Sequence, residues 1–81
     1  MKTKVSYITR TCTACPSQWR GCGENGEGIY IRYRWGVLDL RIDGETVYWI
    51  QHGGKWDGAL KNEEMKELLS NYLDFGQAEW K

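Results

Sequence analysis

The sequence predicts an α+β domain in which an antiparallel sheet of three to four strands, a meander, is covered on one face by a single C-terminal helix. Asp43-Gly44 lies between two segments of alternating apolar residues, which is the strongest short-range signal for a β-hairpin. Trp35-Gly36 marks a second turn just before the first of these segments. Apolar residues with helical spacing follow Asn62. Together these observations predict two hairpins and a helix that packs on them.

Five segments are predicted in chain order. Lys4 to Arg10 alternates weakly and is the predicted fourth strand, at the N-terminal side of the meander. Thr11 to Gly28 has no period and is rich in Cys, Gly and Ser, which predicts a loop. The three central strands are predicted at Ile29 to Arg34, Val37 to Ile42 and Glu45 to Gln51. With 81 residues, the whole chain 1–81 is expected to form one domain.

The two turns also predict which strand residues face each other. A two-residue turn at Asp43-Gly44 places Leu40 opposite Val47, and the turn at Trp35-Gly36 places Ile31 opposite Leu40. Both turns select the same face of the sheet for the core. The residues predicted on that apolar face are Ile29, Ile31, Tyr33, Leu38, Leu40, Ile42, Val47 and Trp49.

The C-terminal segment predicts the cover for this apolar face. Its apolar residues recur at i, i+3, i+4, i+7 and i+8, which is one stripe of an α-helix: Met65, Leu68, Leu69, Tyr72 and Leu73. The helix is predicted from about Asn62 to Asp74, with Asn62 as its N-cap. It is expected to cover Ile31, Leu40 and Trp49.

The opposite face of the predicted sheet carries the candidate ligand-binding residues. Tyr30, Arg32 and Arg34 point away from the core in this register, and Arg41 and Tyr48 join them. Arginine binds phosphate or carboxylate through a planar fork, and tyrosine offers a ring on which a base can stack. The face therefore suits an anionic small molecule such as a signalling nucleotide, or an acidic protein surface. A solvated sheet face without a ligand is the alternative interpretation.

Net charge and hydropathy limit the partners. The 11 basic and 11 acidic residues cancel, so the composition argues against binding to duplex nucleic acid or to an anionic membrane. No apolar run reaches the length of a signal peptide or a transmembrane helix, so a cytoplasmic protein without a membrane partner is expected. Homo-oligomerisation remains open.

The cysteines offer a metal-binding alternative. Cys12 and Cys15 have the spacing of a zinc knuckle, and Cys22 and His52 are the candidates for the remaining ligands. A structural zinc site usually shows a second clear pair, which is missing here, so no metal and no cofactor are predicted. Paired carboxylates, a nucleophile elbow and a phosphate-binding glycine motif are also missing, and the protein is predicted not to be an enzyme.

Two segments carry a resemblance to known proteins. "ACPSQW" at 14–19 and "YIRYRWG" at 30–36 resemble a group of small uncharacterised proteins found mostly in bacteriophages, especially those of actinobacteria. By analogy of class, small phage proteins without enzymatic machinery act by binding, which makes counter-defence a candidate role: a trap for a nucleotide signal, or an inhibitor of a host defence complex as anti-CRISPR proteins are. The resemblance itself implies a phage-type accessory protein of the host-cell cytoplasm and carries over no activity. It also couples Gln18 and Trp19 to the arginine strand, so both are candidate ligand-binding residues.

Overall fold

A computed structural model describes residues 2–12, 17–54, 59–76 and 78–81. Within these ranges the chain forms seven strands and one short helix. The elements are β1 (Thr3–Cys12), β2 (Ser17–Gly23), β3 (Gly28–Arg34), β4 (Val37–Ile42), β5 (Glu45–Gln51), α1 (Asn62–Leu68), β6 (Leu73–Asp74) and β7 (Glu79–Trp80). The sheet has the order β5-β4-β3-β2-β1-β6, with β7 also paired to β1, and it curls into a half-barrel. The predicted α+β meander with a long C-terminal helix is therefore wrong, because the protein is mostly β.

The two predicted hairpin turns are confirmed. Trp35 and Gly36 have φ angles of 53° and 75°, and Asp43 and Gly44 have φ angles of 54° and 84°. Positive φ at both central residues is what a type I′ turn requires, and its twist matches that of the flanking strands. The predicted bounds of β4 and β5 are accordingly correct, and β3 begins one residue earlier, at Gly28.

Strand β2 lies inside the segment that was predicted to be a loop. Its inward positions are occupied by Ser17, Trp19 and Gly21, and only the tryptophan is a large apolar residue, so the usual alternation does not show in the sequence. Glycine at position 21 has a steric reason, since a Cβ there would clash with the backbone carbonyl of Tyr7 on β1. Strand β2 therefore depends on the close approach of its backbone to β1, which an alternation of apolar residues does not reveal.

A β-bulge in β5 corrects the predicted register of the β4–β5 hairpin. Arg41 pairs with Thr46 as expected, but Leu40 pairs with Tyr48, so Val47 is an extra residue. One extra residue exchanges the two faces for the remainder of the strand. Tyr48 consequently packs against the core, whereas Val47 and Trp49 are 44% and 63% exposed.

The helix is shorter than predicted. It ends at Leu68, and the N–H groups of Leu69 and Tyr72 donate to Met65 and Leu69 as the chain turns back. Leu73 then enters β6 and pairs in parallel with Thr3 of β1. Leu73 is buried, as the helical stripe also required, but its backbone is held by a strand from the other end of the chain. Because Thr3 and Leu73 are far apart in the sequence, no local sequence pattern predicts their pairing.

The core lies between the inner face of the curled sheet and α1. Ile31 and Leu40 are fully buried in one cluster with Met65 of α1 and with Leu69, whereas Trp49, which the helix was also expected to cover, is exposed. The other members of the core are Val5, Ile8, Trp19, Ile29, Tyr33, Leu38, Leu60 and Leu73. No helix in the described ranges is long and apolar enough to cross a bilayer.

A half-buried arginine, Arg10, links the start of α1 to the sheet. Arg10 donates to the Ser17 hydroxyl at 3.1 Å, to the Leu60 carbonyl at 2.6 Å and to Asn62 Oδ1 at 3.1 Å. Asn62 Oδ1 also accepts from Trp19 Nε1 at 2.9 Å, and the guanidinium lies 4.8 Å from the Trp19 ring centroid. Asn62 is therefore the acceptor of this network and not the predicted N-cap, a position that Lys61 occupies.

We predict that stability follows the bulged register. Tyr48→Ala should lower the free energy of unfolding by about 2–3 kcal/mol, since it removes a ring that packs on the core. Trp49→Ala should change it by at most about 0.5 kcal/mol, as for an ordinary surface residue. Urea denaturation of both variants measures the difference. A larger cost for Trp49→Ala than for Tyr48→Ala would contradict the bulged register and support the regular one.

We also predict that Asn62 stabilises the fold through its side-chain oxygen. Asn62→Ala should cost about 2–3 kcal/mol, because donors on Arg10 and Trp19 lose their shared acceptor. Asn62→Asp should retain most of the stability, since it keeps the oxygen and adds a charge opposite to that of Arg10. Asn71→Ala, at an exposed position, is the matched control. Equal costs for Asn62→Ala and Asn71→Ala in thermal denaturation would contradict this role.

Candidate functional site

The face of the sheet turned away from the core, here called the outer face, carries a group of arginines. In β3 the residues alternate, so that Ile31 and Tyr33 are buried while Arg32 and Arg34 lie on the outer face. The strand pairing extends this face sideways. Its members are Gln18 and Arg20 on β2, Tyr30, Arg32 and Arg34 on β3, Val37, Asp39 and Arg41 on β4, and Thr46 and Trp49 on β5.

The outer face has more positive charge than the strands can neutralise. Among the outer-face residues named above there are four arginines and one carboxylate, Asp39, whose Oδ2 accepts from Arg41 Nε at 3.2 Å. Asp39 is directly opposite Arg32 in the register, yet it pairs with Arg41 two residues along its own strand. Arg20, Arg32 and Arg34 have no carboxylate within 4.0 Å among the described residues. Three guanidinium groups are thus available to an anion.

Two of these arginines are held in place by aromatic rings. The Arg34 guanidinium carbon lies 4.2 Å from the ring centroid of Trp35, and that of Arg20 lies 4.9 Å from the ring of Tyr30. Cation–π contacts of this kind restrict the arginine while leaving its N–H donors directed outward. A pre-positioned guanidinium loses less conformational entropy when an anion binds.

A first groove crosses the outer face at the end next to the Trp35-Gly36 turn. Its volume is about 500 Å³, within the range of small-molecule sites. It is lined chiefly by Arg32, Arg34, Trp35, Asp39, Thr46 and Trp49. Trp35 and Trp49 are 61% and 63% exposed, so large apolar surfaces lie beside unpaired guanidinium groups. This combination can accept a planar ring and an anionic group from one ligand.

A second groove of about 550 Å³ continues the outer face toward the Asp43-Gly44 turn. It contains Arg20, Tyr30 and Arg41, and it shares Arg32 with the first groove. Asp43 also lines it, but Asp43 Oδ1 accepts from the Gly28 backbone N–H at 2.9 Å and closes the turn. The second groove is therefore basic as well, with one aromatic ring.

The structure brings five of the seven sequence-predicted ligand-binding residues to the outer face. They are Gln18, Tyr30, Arg32, Arg34 and Arg41. Gln18 pairs with Arg32 because it belongs to β2, which the sequence had not indicated as a strand.

The other two predicted residues lie on the inner side. Trp19 is fully buried and donates its indole N–H to Asn62. Tyr48 is turned inward by the bulge at Val47 and stacks on Tyr72, with ring centroids 4.4 Å apart. Neither side chain is on the predicted ligand face, since alternation in β2 and the extra residue in β5 point them at the core.

Sequence reasoning missed three outer-face residues. Arg20 alternates with Trp19, so recognising β2 as a strand would have found it. Trp35 was predicted only as a turn residue, although a positive φ is uncommon for tryptophan and can indicate a functional position. Trp49 was assigned to the core by the regular register, and no sequence signal marks the bulge.

The proposed zinc ligands do not come together. Cys12 pairs with Gln18 near one end of the β1–β2 hairpin, and Cys22 pairs with Tyr7 five residues earlier on β1. Five residues of strand correspond to about 16 Å, far more than two ligands of one zinc ion allow. Cys15 lies outside the described residues, and within the described ranges no cluster of three His, Cys, Asp or Glu side chains is suited to a metal ion. His52 instead lies 3.6 Å from a Glu64 carboxylate oxygen.

No family model, curated protein or solved structure matches this chain. The fold and the outer face are therefore the grounds for inferring its class.

We predict that Arg41 and Arg32 differ in structural importance. Arg41→Met should lower the free energy of unfolding by about 1 kcal/mol, because the half-buried Asp39 carboxylate loses its hydrogen-bond donor. Arg32→Met should cost at most about 0.5 kcal/mol. The double variant should equal the sum of the two in urea denaturation. A cost well above that sum would show that Arg32 is also engaged with Asp39.

Proposed function

We propose that this protein binds an anionic ligand with a planar ring, of which a nucleotide is the fitting class, in the first groove of the outer face. The observation that carries the proposal is the position of two exposed tryptophans beside arginines that lack a carboxylate partner in the described chain. Large exposed apolar side chains are costly on a merely solvated face, and their grouping marks interaction sites.

The charges favour a ligand over a solvated face. In the alternative interpretation, the arginines would form cross-strand pairs with carboxylates, as exposed sheets usually do. Arg32 is opposite Asp39 but leaves that carboxylate to Arg41. Arg34 is opposite Val37, which offers no charge at all. A phosphate between Arg32 and Arg34 would replace the missing partners through charge-assisted hydrogen bonds.

The tryptophans account for the planar part of the ligand. The Arg34 guanidinium lies over the ring of Trp35, and Trp49 on β5 lines the same groove. Stacking of a base on an aromatic ring is worth roughly 1–3 kcal/mol. Binding without chemistry is the activity proposed, and sequestration of a signalling nucleotide is the setting suggested by the resemblance to small phage proteins.

A protein partner is the second candidate. Strand β5 ends the sheet order, and it exposes Val47 and Trp49 at an edge that has no pairing strand among the described elements. An edge strand of this kind can add a strand from another protein. Val47→Lys should abolish such an interaction while leaving nucleotide affinity unchanged, since Val47 does not line the first groove.

We predict that Arg34 contributes to binding and not to folding. Arg34→Ala should shift the free energy of unfolding by at most about 0.5 kcal/mol but weaken nucleotide binding by about 1.5–3 kcal/mol, or about 10- to 150-fold. Arg34→Lys should recover part of the affinity, because lysine keeps the charge without the planar fork.

Titration of the four ribonucleoside 5′-monophosphates, followed by tryptophan fluorescence and calorimetry, measures these affinities. Lys4→Ala is the matched control, since it removes a positive charge on β1 outside both grooves. If all four nucleotides fail to bind the unmodified protein, or if Arg34→Ala binds as well as Lys4→Ala, the nucleotide proposal is wrong.

A further inference from the structure

The two grooves of the outer face repeat one arrangement. In the first groove the Arg34 guanidinium lies over the ring of Trp35, and in the second the Arg20 guanidinium lies over the ring of Tyr30. Each groove thus contains an aromatic ring with an arginine laid on it. Their volumes, about 500 and 550 Å³, are nearly equal. Each volume alone is sufficient for a compact ligand of nucleotide size.

Arg32 joins the two grooves and lines both of them. It lies between Tyr30 and Arg34 on β3, and each is two residues away. Residues two apart on one face of a strand are separated by about 6.6 Å. The three side chains therefore form a row along β3, with the two ring-bearing ends about 13 Å apart and a cation in the middle.

We propose that the outer face binds two linked nucleotide units, one in each groove, with Arg32 at the phosphate that links them. This inference rests on the proposed function of the first groove and extends it to the second. Arg34 and Arg20 are the outer cations, and the rings of Trp35, Trp49 and Tyr30 supply the stacking surfaces. The guanidinium over Tyr30 offers its own plane for stacking.

The bases must be unpaired for this mode of binding. A sheet face reaches bases with aromatic side chains only when the bases are splayed from a single strand, because in a duplex they are stacked inside. The shared chemistry is thus two consecutive unpaired nucleotides. It can come from a free dinucleotide or from a segment of single-stranded RNA or DNA.

The test compares ligands of one and two units on the same protein. Each ribonucleoside 5′-monophosphate is titrated beside its 5′-phosphorylated homodinucleotide at one fixed salt concentration, because phosphate contacts are salt-dependent. The dinucleotide of the best-bound base should bind at least tenfold more tightly than its monomer, since the second unit binds intramolecularly. Arg20→Ala should reduce the ratio of dinucleotide to monomer affinity to less than twofold.

Two further variants keep the result interpretable. Tyr30→Leu should also abolish the dinucleotide advantage, and it tests the second groove independently of the charge at Arg20. Lys4→Ala should change neither affinity more than twofold. Melting temperatures of all three variants verify that they are folded.

The outcomes separate this inference from the proposed function. A monomer that binds in an Arg34-dependent way, with a dinucleotide no tighter, overturns the second unit and leaves the first groove as proposed. Failure of every monomer and dinucleotide to bind overturns both. Single-stranded homo-octamers of the same base then distinguish the sources: tighter binding than the dinucleotide indicates a strand, and equal binding indicates a free dinucleotide. Equal affinity for a duplex octamer contradicts recognition of unpaired bases.

Discussion

The position of α1 on the sheet depends on the hydrogen bonds of the Arg10 guanidinium. A charged group that is partly removed from water is costly unless it is hydrogen-bonded, and the terminal nitrogens of Arg10 donate to Ser17, Leu60 and Asn62. These acceptors come from β2 and from the segment that leads into α1, so one side chain of β1 joins three parts of the chain. Trp19 also belongs to this network, because its indole N–H donates to Asn62, and its side chain is buried. The helix is therefore held on the sheet by hydrogen bonds in addition to its apolar contacts.

The same residue type serves a different purpose on the other side of the sheet. The terminal nitrogens of Arg10 donate to groups of the protein, whereas Arg20, Arg32 and Arg34 have no carboxylate within 4.0 Å among the described residues. Because the core does not use the side chains of Arg20, Arg32 and Arg34, substitutions at these three positions are expected to leave the folding stability nearly unchanged. The core and the outer face can use different residues because successive side chains of a strand point to opposite faces of the sheet.

Local turn chemistry made the central part of the fold predictable. Asp43-Gly44 and Trp35-Gly36 determine the bounds of β4 and β5 and the pairing of β3 with β4, and with them the positions of Tyr30, Arg32, Arg34 and Arg41. The remainder was decided by contacts that have no local signature. Close approach at Gly21 permits β2, an extra residue at Val47 reverses Tyr48 and Trp49, and pairing with β1 turns Leu73 from a helix residue into a strand residue. The sequence thus predicted three of the four arginines of the site, Arg32, Arg34 and Arg41, but only one of its three aromatic rings, that of Tyr30.

The parallel pairing of β1 with β6 and β7 has a consequence for synthesis of the chain. β1 pairs with Leu73 and Trp80 through its residues Thr3 and Ile8, so its second edge stays open until residues 73–80 have been synthesised. The β3–β4–β5 hairpins depend only on neighbours and can form earlier, whereas contacts of large sequence separation form slowly. Until these long-range pairings form, the open edge of β1 is a surface with which other strands can pair, and its pairing with β6 and β7 removes that surface.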